Sequence, residues 1–305
     1  MTGKTRIIAL SSLGGVGALI FLGAWKLSRG RAAWLYDLLL SSNIPCDKPD
    51  PFGSFHLVWL SLCVLLSVLL GMWANRCGKR LTDTAVLCAG GFLLLLEAYK
   101  QLFSFFILNG QQYDFSIFPF QFCSLPLYLY WIVPFLREGR IKETLYQFLA
   151  FFGTMGGCLV MAYPRFYNCL ALSVHTMIWH TVMIAVGVLI LFSRGYGRSW
   201  RREVLPSSAV FLISVTVATV LNLTLTPLAR SSPQPLNLFY MSPYESTYFL
   251  LIRDVQTRLG WLPSLICYIL LFIFVGATLV FGVARLIRLA ENEFHTKRQL
   301  KKEKN

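Results

Sequence analysis

Seven times between residues 55 and 286 the chain turns apolar for about 20 residues, the length that spans a bilayer. The runs are Phe55–Trp73, Thr84–Leu108, Ile117–Leu136, Leu145–Met161, Cys169–Phe192, Ser207–Thr226 and Leu262–Leu286. Lipid offers no partner to a free backbone N–H or C=O, so such segments must close their hydrogen bonds internally, as helices. This predicts an all-α fold, a polytopic transmembrane helix bundle of seven core helices. An eighth is expected at the N-terminus, where "MTGKTRIIALSSLGGVGALIFLGAW" has the basic start of a signal peptide. Its run is long, and "KLSRGRAAW" follows in place of a small-residue cleavage site, which favours an uncleaved membrane segment. The divisions are 1–53, an N-terminal hydrophobic segment and external linker; 54–286, the transmembrane core; and 287–305, a basic cytoplasmic tail. Composition excludes a soluble domain: 56% of residues are hydrophobic and 14% charged, with a mean hydropathy of +0.59.

A net charge of +14 invites a nucleic-acid reading, but the charges sit in short gaps between apolar runs, as cytoplasmic loops do. The gaps after the first, third and fifth runs, with the tail, hold seventeen Lys and Arg, from Arg76 to Lys304; the alternate gaps hold four, Arg165, Arg230, Arg253 and Arg258. The basic gaps and the C-terminus are therefore expected in the cytoplasm. The outer connection from Pro227 to Trp261 is long. Within it Ser242, Pro243 and Glu245 have helix-start chemistry, and Tyr248, Leu251, Ile252 and Val255 recur at helical spacing. A short interfacial helix is expected there. The eight cysteines form no CxxC pair or zinc pattern. No metal and no cofactor is called for.

Ionisable groups at membrane depth are expensive and turn toward protein or a cavity. Glu97, Lys100 and Gln101 share one helical face at i, i+3 and i+4, so the carboxylate and ammonium are expected to pair. His175 and His180 are five apart, about 140° around a helix, and do not make a metal pair. Thr176 and His180 share a face. In "FPFQFCSLPLYLYWIVPFL", Pro126 has no N–H to give, which leaves the Phe122 carbonyl without a helical partner. A helix broken at this depth is tolerated where it lines a cavity, and Cys123 lies at the break with Gln121 and Ser124 nearby. Counted at about 1.5 Å per residue from the outer helix ends, Cys123, His175, His180, Glu97 and Lys100 fall in one layer roughly 10–18 Å deep. A thiol and an imidazole are the minimal activated nucleophile. His56 begins the first core helix at the outer edge. The Asn222 sequon lies in an apolar run and carries no weight as a glycosylation signal.

The motifs "LEAYKQ", "PFQFCSLPLY", "VHTMIWHT" and "NLFYMSPYES...LGWLP", in that order, resemble the YwaF-type integral membrane proteins from about Phe52 to Arg285. Related animal proteins are glycerolipid acyltransferases with an intramembrane cysteine and histidine. A more distant relation hydrolyses lipid esters with a Thr–His pair. Carried over by position, the resemblance implies Cys123 as nucleophile and His180 as its histidine; the shared depth leaves His175 as the second candidate. The bacterial pattern often places His before Leu-Cys; here Gln121 and Phe122 stand in that motif. A bacterial plasma membrane is also implied.

The reading reached is an integral membrane lipid acyltransferase or lipid-ester hydrolase. Glu97, Lys100, Gln101, Gln121 and His56 would orient or bind substrate. The alternative is a transporter or binding protein with a polar intramembrane cavity. Membrane phospholipids are the expected partners, and the oligomeric state is open.

Overall fold

The computed structural model describes residues 33–74 and 76–303, with the backbone alone beyond residue 293. The N-terminal membrane segment expected before residue 26 lies outside the described residues. Among those described, the chain is all-helical. After a short α1 (Ala33–Ser41) come α2 (Ser54–Ala74), α3 (Lys79–Leu108), a shorter α4 (Phe122–Phe135), α5 (Arg140–Ala162), α6 (Leu170–Ser193), α7 (Trp200–Leu225), α8 (Leu250–Leu259) and α9, whose apolar span is Trp261–Glu293. Six are long and apolar enough to cross a bilayer; α4 is not.

α5 and α6 form the centre: 72% and 67% of their apolar windows are buried, against 11% in α2, whose residues are apolar on all sides. α2 and α3 pack on α6, α7 and α9 pack on α5, and α4 lies between α3 and α5. Small residues allow the close contacts. A Cβ on Gly156 would stand 2.6 Å from the Phe122 ring, and one on Gly157 2.6 Å from Ile184, so α4 and α6 seat directly on the α5 backbone. π-helical turns at Ser104–Leu108, Leu149–Gly153 and Leu271–Ala277 interrupt α3, α5 and α9.

The third apolar run differs from its expected shape. No helix precedes Pro126 to be broken by it. Residues 118–121 are irregular, Phe122–Ser124 make one 3-10 turn, and α-helix starts at Leu125. Pro126 thus sits in a first turn, where a missing N–H costs nothing. The Phe122 carbonyl does not go free, because the Leu125 N–H binds it. The interfacial helix is also shorter than its sequence suggests. The Ser242 hydroxyl accepts from the Tyr244 N–H, 3.3 Å away, in a local turn, and helix begins only at Leu250, with Ile252 its buried residue.

The basic gaps converge at one end of the bundle, and ion pairs explain how. The Arg194 side chain, 1% exposed, reaches Asp83 at 2.7 Å, Glu143 at 2.8 Å and Glu138 at 3.2 Å. Its guanidinium lies 4.2 Å from the centre of the Tyr146 ring. Lys142 meets Asp83 at 2.5 Å and Glu138 at 2.8 Å. Tyr146 donates to Asp83 at 2.5 Å and Tyr196 to Glu143 at 2.6 Å. The Glu203 carboxylate accepts the N–H groups of Gly197, Arg198 and Ser199, which closes the start of α7. Burial works against a charge on Glu138, but the Lys142 hydrogen bond and the Arg194 and Lys142 charges outweigh it, holding its pKa down at about 2.

Candidate functional site

At the opposite end, polar side chains from α3, α4 and α6 meet around an indole. On α3, Lys100 Nζ lies 2.8 Å from one Glu97 oxygen, and Gln101 Nε2 donates to the other at 2.7 Å. The expected pair is formed, with Glu97 buried. Gln101 also donates to the Ile117 carbonyl at 2.9 Å, so the face that binds Glu97 also holds the α3–α4 loop. Lys100 stands 5.8 Å over the Trp179 ring. From α6, Trp179 donates its indole N–H to the Cys123 carbonyl at 2.9 Å and stacks on His175 at 5.5 Å between ring centres. Trp179 therefore joins the Glu97–Lys100 pair, the Cys123 turn and His175. Nothing in the sequence sets Trp179 apart from the apolar residues around it, although it lies inside "VHTMIWHT".

The turn that carries Cys123 is fixed by its neighbours. Phe122 meets Phe148, Phe211, Phe239 and Phe272 edge-on, with ring centres 5.6–6.4 Å apart, an arrangement that favours the aromatic quadrupoles. Gln121 holds the outer connection: Oε1 accepts the Phe239 N–H at 2.9 Å and Nε2 donates to the Asn237 carbonyl at 3.1 Å. Gln121 is thus a backbone clamp for that connection. Cys123 is half-buried in this turn.

The three histidines whose side chains are described divide by their partners. His56 Nδ1 accepts the Phe52 N–H at 2.8 Å, so the proton sits on Nε2, which donates to the Met161 carbonyl at 2.8 Å. Fully buried, with both nitrogens engaged, it ties the start of α2 to the end of α5. Its ring contacts are with Phe52 and Phe166. In His180 the pattern is reversed. Nδ1 lies 2.7 Å from the Thr176 carbonyl. A carbonyl only accepts, so Nδ1 carries the proton and Nε2 holds the basic lone pair. That Nε2 is buried without a hydrogen-bond partner, and so is Nε2 of His175. Neither imidazole hydrogen-bonds the Cys123 thiol in this state.

Unpartnered buried atoms are uncommon in folded proteins; α6 carries both histidine nitrogens, the Thr181 hydroxyl and, at its last residue, the Ser193 hydroxyl, α5 carries the Thr154 hydroxyl, and others lie elsewhere among the described residues, on Ser67, Tyr130, Trp131 and Arg194. An open apolar groove of about 410 Å³, between Trp59, Phe92 and Thr181, lies on the lipid-facing side of the same helix. Among the described residues no group of three or more His, Cys, Asp or Glu is placed to hold a metal ion. All eight cysteines are free thiols. A family model described as the TMEM164 family matches residues 51–283. No curated protein and no solved structure matches the chain.

Proposed function

The chain belongs to the TMEM164 family of multi-pass membrane proteins, and from that premise we propose that it carries out lipid acyl chemistry, with Cys123 as nucleophile and His180 as its base. The observation that carries this reading is the His180 tautomer. A backbone carbonyl fixes the proton on Nδ1, and the basic Nε2 is left in a buried position with nothing to bind. A side chain so arranged is an oriented proton acceptor. The YwaF-type resemblance points to the same residues and the same chemistry.

His180 Nε2 takes the thiol proton and the sulfur attacks the ester carbonyl of a phospholipid. The tetrahedral adduct collapses, the C–O bond breaks, and the imidazolium returns its proton to the departing lipid alkoxide. The acyl thioester on Cys123 then passes to a second hydroxyl, or to water in a hydrolase, with the same histidine working in reverse. In the resting state the thiol and imidazole are not hydrogen-bonded, and catalytic contacts of this kind commonly tighten only when substrate binds. Glu97, Lys100 and Gln101 orient the site through Trp179, and Lys100 offers a cation to a phosphate group. We also place the basic end in the cytoplasm, by the Lys and Arg bias. A bacterial plasma membrane is carried forward on the resemblance alone.

The test is intact-mass measurement of the protein in nanodiscs of a defined phosphatidylcholine. A hydroxylamine-labile acyl adduct should form on Cys123, vanish in Cys123→Ala and persist in Cys158→Ala. Solute- or proton-coupled uptake by a protein that never forms the adduct would favour the transport reading instead.

A further inference from the structure

Not every cation at the basic end belongs to the Arg194 network. Three others, Arg198 of the α6–α7 turn and Arg285 and Arg288 of α9, are brought to one place by backbone packing. Gly197 takes a positive φ of 96°, and a Cβ there would stand 3.1 Å from backbone atoms of Ala284 and Arg285. The turn sits directly on α9 because glycine lacks that carbon. Trp200, the first residue of α7, fastens the contact. Its indole N–H donates to the Thr278 hydroxyl at 2.9 Å, and its ring stacks on Phe274 with centres 6.1 Å apart. From α9, Arg288 donates to the carbonyls of Tyr196 and Leu191, and Arg285 donates to that of Arg198 at 3.3 Å.

The convergence is closest at Gly195, whose φ of 76° also suits glycine. A Cβ placed on it would stand 3.3 Å from Arg198 Nη2, 3.7 Å from Arg288 Nη2 and 3.8 Å from Arg198 Cζ. The three nearest neighbours of that position are thus all guanidinium atoms. None of the ion pairs among the described residues includes Arg198, Arg285 or Arg288, and Glu291, one turn beyond Arg288, forms none with it. The buried Glu203 carboxylate is spent on the N–H groups of Gly197, Arg198 and Ser199. Like charges held together without an acid repel, and an anion between them would relieve the repulsion.

We propose that Arg198, Arg285 and Arg288 form a binding site for the phosphate of an anionic phospholipid in the leaflet at the basic end. The guanidinium fork meets phosphate oxygens in pairs, at about 2.7–2.9 Å. An oxygen over Gly195 comes within reach of two such forks after small side-chain adjustments. The phosphate is a lipid's because exposed Val283, Leu286 and Leu289 flank the arginines on α9, and exposed Leu205 follows on α7. Apolar side chains left bare beside cations mark the border between hydrocarbon and headgroups, where basic pockets between helices hold anionic lipids. A lipid seated there would clamp the α6–α7 turn to α9. The site lies at the end opposite the Trp179 cluster and does not rest on the acyl reading.

The experiment is native mass spectrometry of the full protein in detergent, titrated with dioleoyl phosphatidic acid. Dioleoyl phosphatidylcholine is the lipid without net charge, and inorganic phosphate is the soluble competitor. Wild type should retain phosphatidic acid at concentrations that leave phosphatidylcholine unbound. Arg198→Gln should weaken that retention about 10-fold or more. Arg140→Gln removes an exposed charge from the same end and should leave retention unchanged. Equal losses in the two variants, or none in either, would overturn the site, since diffuse surface charge gives those results. Displacement of the lipid by an equal concentration of inorganic phosphate would overturn the lipid assignment. If Arg198→Gln does not fold, Arg285→Gln takes its place with the same expectation, and wild-type retention by that variant would overturn the proposal.

Discussion

The two ends of the bundle solve the problem of polar groups near lipid in opposite ways. At the basic end the carboxylates of Asp83, Glu138 and Glu143 are taken up by Arg194, Lys142 and two tyrosine hydroxyls. At the other end Glu97 and Lys100 are paired, yet His175 and His180 each keep a buried nitrogen idle. The basic end also leaves a buried nitrogen, Arg194 Nε, without a partner, but that atom is a donor on a permanent cation and no base. A network whose carboxylates all have partners holds helices together. A region that leaves an oriented lone pair without a partner accepts a loss of stability that the fold does not need. The difference separates the groups that hold the bundle from those available for chemistry.

The comparison breaks most easily at the basic end. Arg194→Met should remove three charge-assisted contacts at once, from Asp83, Glu138 and Glu143, and cost about 3–5 kcal/mol, as loss of one partner from a buried ion network does. Thermal unfolding in detergent should show it. A melting temperature close to wild type would mean that the network is decorative. Lys100→Met should cost less, roughly 1–3 kcal/mol, because Gln101 still donates to Glu97 and the carboxyl can take up a proton. Adding Glu97→Gln should recover part of the loss. Additive effects of the two replacements would rule out the pair.

Acid sharpens the contrast more gently. The folded pKa of Glu138, about 2, is depressed from an ordinary 4.5. Its contribution is therefore complete above pH 4.5 and is lost as the pH falls from there toward 2. Since Glu138 is half exposed, solvent keeps the effect small. Unfolding followed between pH 5 and pH 2 should be steeper in wild type than in Glu138→Gln, and identical slopes would count against the pairing.

How much of this was legible beforehand depends on the kind of signal. Six of the seven core runs appear as long helices because their length and hydropathy are properties of the segment itself. The third run was legible as apolar but not in shape: Pro126 starts a helix there, and a proline after an apolar stretch reads the same in either case. The Ser242–Glu245 pattern misled because Asn237, five residues upstream, takes the Ser242 N–H. Glu97 and Lys100 were legible as a pair because they lie one turn apart on one helix. The Arg194 network was not, because its acids arrive from α3, the α4–α5 loop and α5, and sequence showed only a charge bias. The division between His56 and His180 was equally hidden, since it depends on whether the group facing Nδ1 donates or accepts.

That division gives the most direct test. His180→Asn keeps a donor toward the Thr176 carbonyl and removes the free Nε2; His56→Leu removes two satisfied hydrogen bonds. Acyl-adduct formation on Cys123 and the melting temperature should be measured for both in the same nanodiscs. The account predicts that His180→Asn melts like wild type but acylates at least about 10²-fold more slowly, whereas His56→Leu melts early and, where still folded, acylates at the wild-type rate. Wild-type acylation by a folded His180→Asn protein would contradict it.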